Sequence, residues 1–232
     1  MKNNDFLSHP LNRQEKIWGT IWLLFQTLLF STLLQVLNQL LSNPFPQTVV
    51  NFVYFTINFT AVAILLRQYL SDQIRLIPEA IGKVLFAAIS GFAAYWVMNL
   101  LLSQVLYALD PAFVSYNDIT IQALVEEDFY LMLFGTVILV PIAEESLFRG
   151  LVFRGMYDRS PWLAWILSVA LFSAIHLLGY ISVYPADKLL LCFIQYLPAG
   201  IVLTASYCLS GSLLTPILIH ATVNLVGMLA LR

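Results

Sequence analysis

Charged side chains are scarce in this sequence. Asp, Glu, Lys and Arg together make up 10% of its 232 residues, and 60% are hydrophobic. A typical soluble domain is about a quarter charged, and a water-solvated surface cannot be built from so few charges. The composition therefore excludes a soluble globular domain. With a net charge of -2, the chain also has no basic stripe that could bind nucleic acid.

Cysteine is equally scarce, with two residues in the whole chain. Cys192 and Cys208 fall on one predicted helix, about 24 Å apart along its axis, so they cannot form a disulfide with each other while that helix is intact. We interpret both as buried apolar thiols. No internal repeat or low-complexity segment interrupts the sequence.

What the sequence has instead is long apolar runs, several of them able to cross about 30 Å of hydrocarbon as helices. Proline, glycine and asparagine separate the runs. They predict an all-α polytopic transmembrane bundle of about seven spans, at residues 17–41, 48–66, 81–106, 129–153, 162–180, 188–208 and 212–231. The first run is longer than a signal-peptide core, so we expect it to remain as an uncleaved span.

Lys and Arg are distributed unequally between the predicted loops, which sets the expected orientation. The side holding the N-terminus carries Lys2, Arg13, Lys16, Arg67, Arg75, Lys83, Arg154 and Arg159, and the other side carries Lys188 and Arg232. The predicted loop 107–128 has acidic residues and no basic ones. We therefore expect a cytosolic N-terminus, an external 107–128 loop, and residence in a bacterial plasma membrane or an equivalent one.

The most informative residues are charged side chains inside the fourth predicted span. A charge at the centre of a spanning helix costs about 2.5–3.5 kcal/mol on insertion scales, so Glu144, Glu145 and Arg149 need partners or water. Glu145 and Arg149 are four residues apart, with the acid first, and can pair on one helix face. Glu144 has no such neighbour and must take up a proton or face a wet cavity.

Two later spans carry polar groups at the same helical spacing. His176 follows Phe172 by four residues, and Asn224 follows His220 by four. Each pair taken alone is explained by packing or interhelical hydrogen bonding, and Glu145 with Arg149 could be a purely structural pair. The combination over three spans has no joint packing rationale. It predicts a polar chamber with a free carboxylate, two imidazoles and an amide.

These residues, in this order, resemble a known family. Glu144-Glu-Ser-Leu-Phe-Arg149 matches Glu-Glu-x-x-x-Arg, Phe172 to His176 matches Phe-x-x-x-His, and His220 to Asn224 matches His-x-x-x-Asn. The set is similar to the CPBP family of intramembrane endopeptidases, which includes type II CAAX prenyl proteases and bacteriocin-processing or immunity proteins. The resemblance covers residues 125–231. We therefore separate an N-terminal part, 1–124, from a CPBP-like core, 125–232, within one integrated membrane domain.

The resemblance implies hydrolysis of a peptide bond in a membrane-associated protein or peptide, in a chamber that opens to the cytosol. It implies Glu144 as the base that activates water, His176 as a group that holds this water, and His220 with Asn224 as oxyanion donors. Glu145, Arg149 and Phe172 would support the site. Prenyl-protease members are expected to have eight helices, one more than the seven runs found here.

A catalytic metal is a separate alternative. Glu144, His176 and His220 could form a three-ligand zinc site with one open position, although the His-Glu-x-x-His helix that would indicate zinc more strongly is absent. We favour water activated by glutamate without obligatory metal. Two functions of other classes also stay open: a membrane scaffold or immunity protein that performs no chemistry, and a proton-coupled transporter, which would predict inverted repeats that the sequence lacks.

Overall fold

The computed structural model describes residues 9–232, so Lys2 lies outside the described residues. Within this range the chain forms helices and no strand, which confirms the predicted all-α bundle. The eight helices are α1 (Arg13–Gln39), α2 (Gln47–Leu65), α3 (Arg67–Leu109), α4 (Tyr116–Glu127), α5 (Phe129–Tyr157), α6 (Pro161–Ile175), α7 (Ala186–Ser210) and α8 (Leu214–Ala230).

Length and composition divide these helices into two groups. Five of the described helices, α1, α2, α3, α5 and α7, are long and apolar enough to cross a membrane, whereas α6 and α8 are apolar but shorter. Many large apolar side chains on their outer faces are exposed, as lipid contact requires. The chain is an integral membrane protein, and its seven apolar helices correspond to the seven predicted spans.

The third predicted span, 81–106, is part of a longer helix, because α3 runs without interruption from Arg67 to Leu109. Pro78 lies inside this helix and does not end it. Proline removes one backbone donor, and here the carbonyl that is freed belongs to the exposed residue Ile74, where water can bond to it. With 43 residues, α3 is about 65 Å long and must extend well beyond the hydrocarbon.

The predicted external loop, 107–128, contains a helix that the apolar pattern did not indicate. Ser115 ends the connection, and its hydroxyl accepts a hydrogen bond from the backbone N–H of Asp118, at 3.3 Å, which begins α4. A serine with an acid three residues later is a helix-start signal. Hydrophobic periodicity did not reveal this helix, because α4 is short and carries polar residues on most of its surface.

Helix α5 lies at the centre of the bundle and is not regular. It contains two π-helical segments, Gly135–Leu139 and Ser146–Arg154, and the second begins directly after Glu145. A π-turn changes the direction in which the following side chains point, and such turns are frequent at functional sites. All nine residues of the second segment are buried, so their polar atoms must find partners inside the protein.

Helices α6 and α7 approach each other closely at Gly200. A Cβ added there would lie 3.0 Å from Val169 Cγ1 and 3.2 Å from the Val169 carbonyl oxygen. Only glycine permits this contact without a shift of the backbone. The close approach brings the C-terminal end of α6 beside the middle of α7.

The two ends of the bundle differ in charge. One end holds the starts of α1, α3, α6 and α8 and the ends of α2, α5 and α7, together with Arg67, Arg75, Lys83, Arg154 and Arg159. The other end holds α4 and the acids Asp110, Asp118, Glu126, Glu127 and Asp128. We call the first the basic face and the second the α4 face. The positive-inside rule assigns the basic face to the cytosol.

Reporter fusions test this orientation. We expect fusions after residues 75 and 159 to report the cytosol, and a fusion within residues 111–114 to report the outer side. The control is a fusion after Arg232, which must agree with the 111–114 fusion because both positions lie at the α4 face. A cytosolic 111–114 fusion would reverse the assignment of both faces.

Candidate active site

A buried carboxylate joins two motifs at the centre of the bundle. Glu145 and Arg149, both 0% exposed, form the predicted pair, with Arg149 Nη1 at 3.1 Å from Oε1 and 3.0 Å from Oε2. The same Oε1 atom lies 2.8 Å from Nδ1 of His220 on α8. The sequence did not indicate this second contact, because residues 75 positions apart have no helical relationship.

Arg149 also ties α5 to α6 and α7. Its Nη2 donates to the carbonyl oxygen of Gly200 at 3.2 Å, and its guanidinium lies 4.3 Å from the ring centre of Phe172. Phe172 in turn contacts the rings of His176 and His220, with centroids 5.0 and 5.8 Å away. Phe172 therefore separates the arginine from the two imidazoles and holds all three in place.

His176 is not inside a helix, contrary to the predicted span 162–180. Helix α6 ends at Ile175, and His176 is the residue that follows it. Its Nδ1 lies 2.8 Å from the Phe172 carbonyl oxygen, which can only accept, so Nδ1 carries the proton and Nε2 keeps a free lone pair. The imidazole stacks on Tyr196 of α7, with centroids 4.1 Å apart.

Asn224 lies one turn beyond His220 on α8. Its Nδ2 donates to the Thr136 carbonyl oxygen at 2.7 Å, in the first π-helical segment of α5. Because an amide nitrogen carries two hydrogens, one N–H of Asn224 remains for another acceptor.

Glu144 is the isolated carboxylate that the sequence predicted. Its Oε2 is buried and has no hydrogen-bond partner among residues 9–232. His220, Glu145, Arg149 and Tyr54 lie close enough to interact with it electrostatically. Burying a carboxylate oxygen without a hydrogen-bond donor costs folding free energy. Packing alone therefore does not explain a glutamate at this position.

The histidine and asparagine motifs meet at one cavity of about 150 Å³. It has room for several water molecules. It is lined by Tyr95, Asn99, Asp118, Phe172, His176, Gln195, Tyr196, Ala199, Leu203, Ile219, His220, Val223 and Asn224. The predicted chamber with two imidazoles and an amide is therefore present. Glu144 is not among the lining residues, and its electrostatic neighbours include His220, which lines the cavity.

Sequence reasoning missed the polar residues that α3, α4 and α7 contribute to this cavity. Asn99 and Gln195 resembled ordinary hydrogen-bonding residues of spanning helices, and Asp118 resembled a loop acid. Asp118 is exposed and lies at the cavity mouth, where Gln195 Nε2 donates to its Oδ2 at 3.4 Å. Partial desolvation raises the pKa of Asp118, and hydrogen bonds with Ser115 and Gln195 oppose this effect.

Helix α4 covers the cavity through polar and aromatic contacts. Asn117 Nδ2 donates to the Tyr196 hydroxyl at 2.8 Å, and the Tyr180 hydroxyl donates to Thr120 Oγ1 at 2.8 Å. Leu124 and Val125 of α4 are also buried, in an apolar cluster with Met132 of α5 and Met228 of α8, so hydrogen bonds and this small cluster together hold α4 over the site.

The cavity lies toward the α4 face rather than the basic face. His176 follows the end of α6 on that side, and Asn224 is only about 9 Å from the end of α8. The expectation of a chamber opening to the cytosol and the charge-based orientation therefore disagree. If the basic face is cytosolic, the site is entered from outside.

The proposed zinc ligands do not form a three-donor site in this arrangement. No three His, Cys, Asp or Glu side chains within residues 9–232 are grouped so that they could hold a metal ion. Among the candidate ligands, Nδ1 of His220 is engaged by Glu145 and Nδ1 of His176 by the Phe172 carbonyl, which leaves Nε2 as the available nitrogen of each imidazole.

Comparison with known proteins bears on the same part of the chain. Residues 126–226 match the family model of the type II CAAX prenyl endopeptidase Rce1-like proteins. The matched segment, less than half of the chain, resembles an Rce1-like domain. The match covers α5 to α8 with all three motifs, and it confirms the CPBP resemblance where the sequence carried it.

Two curated relatives are similar over shorter stretches. An uncharacterized 24.3 kDa protein of Escherichia coli is 34% identical over 105 residues, which are 44% of this chain and 45% of that protein. The UPF0177 protein YbdI of Lactococcus lactis subsp. lactis (strain IL1403) is 31% identical over 90 residues, 39% of this chain and 43% of that protein. The chain thus matches less than half the length of each. No solved structure matches the chain.

Removal of Arg149 tests the buried cluster. Arg149→Ala would leave Glu145 buried without its cation, and loss of one member of a buried pair costs about 3–5 kcal/mol. We expect a clearly lower thermal unfolding temperature in detergent. Arg75→Ala is the matched control, since the Arg75 side chain is 79% exposed, and it should leave the temperature unchanged. Equal stability of both variants would contradict a stabilising role for the pair.

Proposed function

We propose that this protein is an intramembrane endopeptidase that hydrolyses a peptide bond of a membrane-associated protein or peptide. The observation that carries the proposal is the meeting of His176, His220 and Asn224 at one cavity, beside a buried carboxylate without a hydrogen-bond donor. The Rce1-like match over residues 126–226 supports the same reaction class.

Charge balance in the buried cluster suggests how base and oxyanion donor arise together. Glu145 and Arg149 neutralise each other. Of the remaining groups, either Glu144 is protonated and His220 neutral, or Glu144 is ionised and His220 is an imidazolium. Both forms are neutral overall, so neither requires an uncompensated charge in the membrane. Only the second form offers both a carboxylate base and an Nε2–H donor.

In the second form the cavity and Glu144 together would supply the groups needed for water attack. His176 Nε2 would accept a hydrogen bond from the water and orient it, while Glu144 removes its proton as the oxygen bonds to the peptide carbonyl carbon. The carbonyl oxygen gains the negative charge and would accept hydrogen bonds from His220 Nε2–H and the free Asn224 N–H. Glu144 then returns the proton to the leaving amine, and the C–N bond breaks.

Glu145 has a positioning role in this scheme. Its carboxylate accepts from Nδ1 of His220, which fixes the ring orientation and stabilises the imidazolium. Arg149 and Phe172 hold Glu145 and the rings in place, as the resemblance implied. The substrate would be a membrane-associated protein or peptide. A prenylated substrate is one alternative within the family.

Conservative variants separate an enzyme from a scaffold. Glu144→Gln keeps the shape but cannot accept a proton from water, so we expect normal folding and no cleavage. His176→Ala should behave in the same way. Asn224→Ala should reduce cleavage by about 100–1,000-fold if the amide supplies one oxyanion donor. The measurement is mass-spectrometric mapping of new protein termini in membranes that contain wild type or variant.

The control is Glu79→Gln, which neutralises an exposed acid at the basic face. It should cleave like wild type. Full proteolysis by Glu144→Gln would contradict the assigned base, and inhibition by EDTA would favour the zinc alternative. If wild type creates no new termini but Glu144→Gln still confers the cellular phenotype, the scaffold or immunity function is correct.

A further inference from the structure

Two acceptor groups, one on α4 and one on α7, lie at the mouth of the cavity. Asp118 offers a carboxylate there. Gln195 donates to that carboxylate through Nε2, while its Oε1 is buried and has no hydrogen-bond partner among the described residues. The opposite amide orientation would place two oxygens against each other, so this assignment is the favourable one. The Asp118 carboxylate therefore has hydrogen bonds with Gln195 and Ser115, whereas Gln195 Oε1 has none within the described part of the chain.

Neighbouring cations are already engaged elsewhere. Arg149 is bound to Glu145, and Lys188, at the start of α7, bonds to Asp110. The ion pairs found within residues 9–232 include none with Asp118. No cation within residues 9–232 forms an ion pair with the carboxylate at the mouth.

Support of α4 is a simpler role for Asp118 but accounts for only part of these observations. An acid in the first turn of a helix interacts favourably with the N-terminal end of the helix dipole. That role needs a negative charge near the helix start. It does not explain why Gln195 of α7 donates to the Asp118 carboxylate. Nor does it explain why the buried Oε1 of Gln195 has no hydrogen-bond partner among the described residues.

We propose that Asp118 and Gln195 bind a cationic group of the substrate, an ammonium or guanidinium of a Lys or Arg side chain near the scissile bond. Such a group brings several N–H donors and would pair with the Asp118 carboxylate beside Gln195. This inference rests on the proposed peptidase function. Asp118 would act as a specificity-determining residue and take no part in the chemical step.

The surroundings favour a cation over a neutral or acidic group. The rings of Tyr95 and Tyr196 line the same cavity, and aromatic rings attract cations. The α4 face carries six acids, counting Asp187 at the start of α7, and few basic residues, so its field would attract positively charged segments and repel acidic ones. A cationic side chain at the mouth would place the adjacent backbone toward His176.

Cleavage-site mapping tests the preference directly. Termini that depend on Glu144 should show Lys or Arg at one fixed position. Peptides carrying Lys at that position should be cleaved about tenfold better in kcat/KM than peptides with norleucine, the size expected for one charge-assisted hydrogen bond. Asp118→Asn should remove this difference through KM with kcat on the norleucine peptide unchanged.

Glu126→Gln is the matched control, an acid-to-amide change on the same helix, and it should keep the lysine preference. Termini without any basic position, or an unchanged preference in Asp118→Asn, would overturn the inference while leaving the peptidase intact. An absence of Glu144-dependent termini would instead overturn the proposed function.

A thiol-labelling experiment tests the mouth without relying on proteolysis. Ala199→Cys places a thiol in the cavity wall, in a background with Cys192→Ala and Cys208→Ala. We expect the aminoethyl methanethiosulfonate reagent to label it about tenfold faster than the sulfonatoethyl reagent. Asp118→Asn should abolish the difference, and Glu126→Gln should preserve it. Equal or slower labelling by the aminoethyl reagent, or equal effects of both variants, would overturn the inference.

Discussion

The buried Glu145–Arg149 pair is the contact on which the rest of the site depends. A charged group in the middle of a membrane bundle cannot be solvated, so each must be satisfied by protein. Arg149 reaches Glu145 on its own helix, the Gly200 carbonyl on α7 and the Phe172 ring on α6. Glu145 reaches His220 on α8. Four helices are thereby fixed at one level of the bundle.

This arrangement leaves Glu144 as the group with freedom to change its state. Its neighbour Glu145 is held by an arginine and a histidine, whereas Oε2 of Glu144 has no partner within the described chain. Two adjacent carboxylates in different environments are a common way to give two acids different roles.

The location of the cavity has consequences for how a substrate would arrive. It lies beneath α4, which is held over it by hydrogen bonds such as that between Asn117 and Tyr196 and by the burial of Leu124 and Val125 against Met132 and Met228. The hydrogen bonds can exchange with water, whereas movement of α4 would also expose this apolar cluster. The acidic α4 face and the basic face lie at opposite ends of the bundle. The positive-inside rule predicts that the basic face is the cytosolic one.

The sequence by itself determined the all-α membrane bundle, the three motifs and the Glu145–Arg149 contact, because these depend on hydrophobic length and on spacing within one helix. It could not determine the Glu145–His220 bond, the end of α6 before His176, the helix at residues 116–127 or the side on which the cavity lies. Those features arise when distant segments meet: Gly200 lets α6 and α7 approach, and α4 adds Asp118 to a wall made by α3, α7 and α8. Only the tertiary structure decided them, because hydrophobic patterning records that a residue is buried but not which residue it is buried against.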